Sequence, residues 1–391
     1  MRMQTNKQSI VVLLMILPYL MPDIVTRTAV GSSLVMCWKL ATAAVVIWKM
    51  IDEHVVRHMP ILLSLFYLTI VASGLAHGRF VVSNLTGAAL LWICYYLTNT
   101  REKRRVFYSV YLTVGKILLY GNVVTMLLFP DGLYRTSVYS LNWLLGYKNT
   151  FVESIIPILT VLCLDYFENG KRIDGSFLAL WGAGVLSMAL SSSATGVICI
   201  AVFSAGAWLV WNKKYPSWLT ISGAFVVYFL VNHLLITGTL LELLHGLITE
   251  VLNRSATLTG RTSIWRAALS IAAESPLFGT GFVESDAFGL SFHVSHAHNM
   301  ILNYRLLGGY ACVAMLWLCF LYFDRLRANA AMPGLQILPV FLITIFTMGF
   351  SEALLLNSNF VYPILVIAAN ILYGDRKKRN RMRAMTARQI K

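Results

Sequence analysis

The sequence predicts an all-α protein, a polytopic transmembrane helix bundle of about 12 spans with one long extracytoplasmic loop. Three observations predict it. Of the 391 residues, 58% are hydrophobic and 13% charged, against about 45–50% apolar and about 25% charged in an ordinary soluble domain. The apolar residues gather in runs near the length a helix needs to cross hydrocarbon, roughly 20 residues. In lipid the backbone must bond within its own segment, which makes those runs helices. Lysine and arginine, finally, concentrate in alternate short loops, the mark of a chain that weaves through a membrane.

The runs place spans at 9–26, 30–48, 60–76, 80–98, 107–129, 151–167, 176–193, 196–211, 217–236, 298–323, 333–348 and 357–373. The first holds Pro18 and Pro22 without a small-x-small cleavage site after it, and reads as a retained helix rather than a signal peptide. With the amino terminus inside, the cytoplasmic loops hold Arg2 and Lys7, Lys49 and Arg57, Arg101 to Arg105, Lys171 and Arg172, Lys213 and Lys214, and Arg325 and Arg327. A basic tail follows at 374–391. Both termini are therefore expected in the cytoplasm of a multi-pass protein of the cell membrane. The net charge of +15 is explained by this orientation, and the tail by contact with anionic lipid headgroups rather than nucleic acid. The six cysteines all fall inside expected spans as small hydrophobes, with no disulfide or metal framework.

Residues 1–391 read as one membrane domain without internal repeats. Two outer loops exceed the usual short connection, 130–150 and, much longer, 237–297, and long loops carry function. Several cations oppose the orientation rule, among them Lys148, Arg254, Arg261, Arg266 and Arg305. A cation close to hydrocarbon usually faces a protein interior or a watery cavity, so an anionic ligand on the outer side accounts for this group.

Inside the long loop, Thr259 can cap a helix whose first turn contains Arg261 and which runs to Pro276. Free N–H groups, the positive dipole end and a guanidinium suit a phosphate. Trp265 shares a helix face with Arg261, where its indole can cover the apolar side of a lipid or sugar. The loop closes on His293, His296, His298 and Asn299. On the following helix His298, Leu302 and Arg305 fall on one stripe, setting a base beside a cation; an imidazole with an ordinary pKa near 6.5 can take a hydroxyl proton. The loop carboxylates Glu284 and Asp286 have no ligand spacing to these histidines, so no metal and no cofactor is expected.

At these residues the chain resembles the O-antigen ligase and polysaccharide polymerase family of bacterial membrane glycosyltransferases. The resemblance rests on TLTGRTSIW at 257–265, SPLFGTGF at 275–282 and HAHNMILNYRLLGG at 296–309, extended by LLGYKNTFVESIIP at 144–157, LSSSATG at 190–196 and FSEALLLNSN at 350–359. It covers about residue 144 to the end. It implies a metal-independent enzyme whose donor is a polyprenyl-diphosphate-linked oligosaccharide, with Arg261 on the diphosphate and His298 on the acceptor hydroxyl. Arg254, Trp265, Arg266, His296, Asn299, Arg305, Lys148 and Asn149 are the expected substrate-binding residues. Relatives often carry Arg or Lys after the serines of LSSSATG, where this chain has Ala194 and Thr195, so that contact falls to Lys148, Arg254 or Arg305. The expected activity is polymerisation of repeat units into exopolysaccharide, capsule or O-antigen on the outer face, alongside membrane lipid and other polysaccharide assembly proteins. A ligase moving a finished glycan to another acceptor is the close alternative, and a lipid-linked glycan transporter the remote one.

Overall fold

The computed structural model describes residues 2–53, 57–79, 82–136, 141–216, 218–240, 261–281, 296–328, 332–354, 356 and 359–389. The described chain is nearly all α-helix. The helices are α1 (Arg2–Ile16), a short α2 (Asp23–Thr26), α3 (Ala29–Glu53), α4 (His58–Ala76), α5 (Ser83–Thr98), α6 (Arg101–Leu128), α7 (Phe151–Asn169), α8 (Gly175–Leu190), α9 (Ala194–Trp211), α10 (Ile221–Ile236), α11 (Arg261–Glu274), α12 (Met300–Ala328), α13 (Ile337–Gly349) and α14 (Val361–Gln389). A two-residue hairpin, β1 (Asn142–Trp143) with β2 (Gly146–Tyr147), precedes α7.

Among the described residues, six stretches are helices long and apolar enough to cross a membrane: Ala29–Glu53, His58–Ala76, Arg101–Leu128, Lys148–Asn169, Ala194–Trp211 and Met300–Ala328. Four shorter apolar helices accompany them, at Lys7–Tyr19, Gly175–Leu190, Ile221–Ile236 and Pro333–Gly349. The first expected span, 9–26, is not one helix. The chain leaves α1 at Ile16, turns through a 3₁₀ segment at Leu17–Tyr19 and restarts at Asp23, because Pro18 and Pro22 each remove a backbone donor and clash with the preceding turn. The tail expected after residue 373 continues α14 as helix through Gln389.

α7 and the first half of α14 form the centre, with Phe151, Val152, Ile155, Ile156 and Leu159 on one and Val361, Ile364, Leu365 and Val366 on the other fully covered. The outside is apolar too: Val30, Leu34, Ile47, Trp48 and Ile51 on α3, and Val227 and Leu230 on α10, are exposed. Such a surface is insoluble in water and suited to acyl chains. Several helix starts are closed by side chains. Thr100, Asp174, Ser193 and Thr220 each accept a backbone N–H at the start of α6, α8, α9 and α10, satisfying donors with no intrahelical partner.

One connection shapes the site. α12 breaks at Gly309, whose φ of 65° and ψ of −165° lie in a region essentially reserved for glycine. The break frees backbone groups that the Pro276–Thr280 turn takes up: Tyr310 and Ala311 donate to the carbonyls of Pro276 and Leu277, both at 2.9 Å, and Thr280 donates to Leu306 at 2.7 Å. A Cβ on Gly309 would collide with the Leu277 carbonyl. The turn after α11 is thereby fastened to α12, fixing where the two helices meet.

Candidate functional site

Arg261 opens α11, whose buried face of Ile264, Trp265, Ala268 and Ala272 packs in one apolar cluster with Ala297, Leu302 and Leu306. That packing carries the Arg261 guanidinium toward the turn after α13, where Arg261 Nη2 lies 2.6 Å from Glu352 Oε1. His298 Nδ1 lies 3.1 Å from the other oxygen, Glu352 Oε2. Asn149 completes the set by donating from Nδ2 to Glu352 Oε1 at 2.8 Å. Three segments far apart in the chain thus converge on one carboxylate whose side chain is 8% exposed. Burial pushes the Glu352 pKa up, but the hydrogen bond from His298 and the charge of Arg261 outweigh it and hold the carboxyl below its ordinary value.

Glu352 is the residue that sequence reasoning passed over. Its signal is present: a single carboxylate inside the apolar run FSEALLL, which a membrane protein retains only with a partner.

An ionised Glu352 can only accept, so the His298 Nδ1 that meets it carries a proton. His298 also lies before the helix rather than on it: α12 starts at Met300, and the φ of His298 is 48°. The expected stripe of His298, Leu302 and Arg305 therefore does not form. Arg305 stacks its guanidinium over the Tyr310 ring at 4.6 Å. The same bend brings His296 next to His298, with ring centroids 4.2 Å apart and His296 Nδ1 accepting the His298 backbone N–H at 3.3 Å. Burial, with the neighbouring His298, pushes the His296 imidazole down to about 4.

Asn299 is fully buried. It caps α12 by accepting from the Leu302 N–H at 3.0 Å, and its amide pairs reciprocally with Asn232 of α10 at 2.6 and 3.2 Å. Its place is structural, holding the histidine turn against α10. Trp265 is 1% exposed and belongs to the α11 core rather than to an open face, while Arg266 points away from that core and is exposed. Lys148 sits half-buried in the turn before α7, one residue from Asn149. Arg254, Thr259, Glu284, Asp286 and His293 lie outside the described residues.

The serine segment expected near the site arrives there. Ser193 accepts the Gly196 N–H at the start of α9 and donates to Asn149 Oδ1 at 3.0 Å. Thr195 and Ser351 share a hydrogen bond of 2.8 Å. The arrangement offers a fixed guanidinium, a carboxylate and an imidazole, a set able to hold an anion and to exchange a proton beside it.

Residues 177–316 match a family described as O-antigen ligase. Over this stretch the chain is similar to that family. The matched stretch runs from α8 into α12 and holds Arg261, His296, His298, Asn299 and Arg305, whereas Lys148, Asn149 and Glu352 come from outside it, on a chain whose resemblance was expected to reach from about 144 to the end. No curated protein and no solved structure matches the chain.

Proposed function

We propose that the protein is a glycosyltransferase of the outer membrane face that polymerises oligosaccharide repeat units carried on polyprenyl diphosphate. The observation that carries the reading is the convergence of Arg261, His298 and Asn149 on Glu352, next to which a diphosphate and a hydroxyl can be handled by different groups. An acceptor hydroxyl attacks the anomeric carbon of the donor sugar. The new C–O bond forms as the bond to phosphate breaks, the electron pair leaves with the polyprenyl diphosphate, and the hydroxyl proton passes to His298 Nε2. Arg261 steadies the charge that grows on the leaving oxygen, where a fixed donor counts most. Glu352 holds both the arginine and the correct histidine tautomer, as an orienting carboxylate does beside a general base. Lys148, Arg254 and Arg305 supply further phosphate contacts.

The proposal includes both termini in the cytoplasm, residues 237–297 outside, and no divalent metal in the reaction. Purified protein given lipid-linked repeat units in EDTA should lengthen chains; activity lost in chelator and restored by one ion would refute the metal-free reading.

The description of the matched family favours a second reading, a ligase that moves a finished glycan to another acceptor. Deleting the gene separates them. A polymerase leaves single lipid-linked units to accumulate, a ligase leaves long lipid-linked polymers.

A further inference from the structure

Beside the carboxylate cluster lies a cavity of about 490 Å³, large enough for a small ligand. Its outer wall is the broken end of the first helix, from Pro18 to Arg27; α3, α6 and α7 contribute further walls, and Glu352 and His296 close it on the site side. Of the lining, only His296 belongs to the matched stretch; every other residue precedes 177 or follows 316.

The chemistry of the walls selects the occupant. Three carboxylates face the cavity, Asp23, Glu153 and Glu352, against the two cations Arg27 and Lys39. Arg27 pairs with Asp23 at 2.6 Å and Glu352 with Arg261 at 2.6 Å, so the charges on these walls come close to balance. Such walls do not select a diphosphate, which calls for a surplus of cations, and a prenyl chain would have to bury against ionised groups. A neutral, hydroxyl-rich ligand suits it, because carboxylates and the Asn359 amide, itself bonded to Glu153 at 3.2 Å, can each pair with a hydroxyl. Tyr19, Tyr111 and Phe360 add aromatic surface to the same walls, the apolar partner that a sugar ring needs.

We infer that this cavity is the acceptor subsite, holding the non-reducing end of an uncharged or weakly charged oligosaccharide so that its terminal hydroxyl passes between Glu352 and His296 to reach His298. The inference rests on the transfer reaction proposed above. It divides the labour along the chain: the matched stretch brings Arg261 to the diphosphate donor, and the flanking helices read the acceptor sugar.

Two probes separate the halves of the site. A free oligosaccharide repeat unit, cleaved from its lipid by mild acid, has sugar but no diphosphate; polyprenyl diphosphate has the reverse. Binding of each is measured on the purified full chain in lipid nanodiscs. Ser154→Phe, which places a ring in the cavity, should weaken oligosaccharide binding by about tenfold or more and leave polyprenyl diphosphate binding unchanged. Glu153→Gln, nearly isosteric, should show the same pattern and carries the test alone if Ser154→Phe does not fold. Oligosaccharide affinity unchanged in Glu153→Gln, or a loss of polyprenyl diphosphate affinity in its place, overturns the assignment. Arg261→Ala is the converse control. If it binds polyprenyl diphosphate as well as the parent, the proposed donor role fails while the cavity result stands on its own.

Discussion

Glu352 divides its oxygens between partners, Oε1 taking Arg261 and Asn149 and Oε2 taking His298. A neutral side chain of the same shape keeps some of these bonds and loses the charge, so Glu352→Gln should fold but cut chain growth by roughly 10²–10⁴, the scale on which a general base and its orienting group act. Glu352→Ala should in addition lower stability by about 3–5 kcal/mol, since it strands the arginine as an unpaired, largely buried charge; thermal unfolding in detergent distinguishes the two variants. Arg261→Lys should stay defective because lysine lacks the planar fork. His298→Ala should abolish transfer, and His296→Ala should impair it too, since His296 accepts the His298 N–H and packs its ring against that of His298. The His296 shift has a sign that stability can report. Its imidazole ionises near 4 in the folded chain against 6.5 ordinarily, so between these values the unfolded chain binds more protons. Stability is full above about pH 6.5 and is lost as pH falls toward 4. Glu352, held below its ordinary 4.5, acts in the same sense lower down. The unfolding temperature should therefore drop from pH 7 to pH 4.5, with a shallower drop in His296→Gln; an unchanged slope there would dismiss His296 as the cause.

At the scale of elements, the docking of the Pro276–Thr280 turn onto the broken α12 predicts that Gly309→Ala is costly. Alanine meets both a backbone region it avoids, at about 1–3 kcal/mol, and the Leu277 carbonyl. Gly182→Ala on α8, where a Cβ finds open space, should be neutral or slightly stabilising, and equal unfolding temperatures for the two variants would contradict the docking. The helices were legible in the sequence because each is a local property: an apolar run of sufficient length must be helical in lipid, and α11 follows from a start near Thr259 and a stop at Pro276. What escaped was the local departure from regularity. The expected helix began at His298, yet the left-handed φ at that residue delays it to Met300, and His296 and His298 became ring neighbours. Glu352 escaped for the opposite reason. Its partners stand 203, 91 and 54 residues away, and a pairing set by packing has no period to read.

Across the whole molecule, contacts between loops sort the chain into two ends that agree with the alternation of basic loops. At one end Lys103 pairs with Glu53 at 3.4 Å, Arg104 with Glu168 at 2.7 Å, and Arg57 stacks over Tyr373 at 4.7 Å, joining the segments expected in the cytoplasm. Arg327 reaches Leu219 at 3.0 Å and Asp324 takes the N–H groups of Ile221 and Ser222, tying two more expected inner loops together. At the other end Tyr134 donates to Asp23 at 2.7 Å, Ser193 to Asn149, and Arg261 and His298 both meet Glu352, joining the segments expected outside. A transferase that uses a lipid-linked donor must expose its chemistry at one membrane face only, so sidedness and mechanism stand or fall together. Reporter fusions after Lys213 and after Gly238, on either side of α10, test this directly. Lys213 belongs with the basic loops and Gly238 leads into the long loop carrying Arg261, so a cytoplasm-active reporter should work at Lys213 and an exterior-active one at Gly238. Activity of the same reporter at both sites would mean that α10 does not cross. The Arg261–Glu352–His298 cluster would then lie on the same side as the basic loops, away from the face the proposed reaction requires.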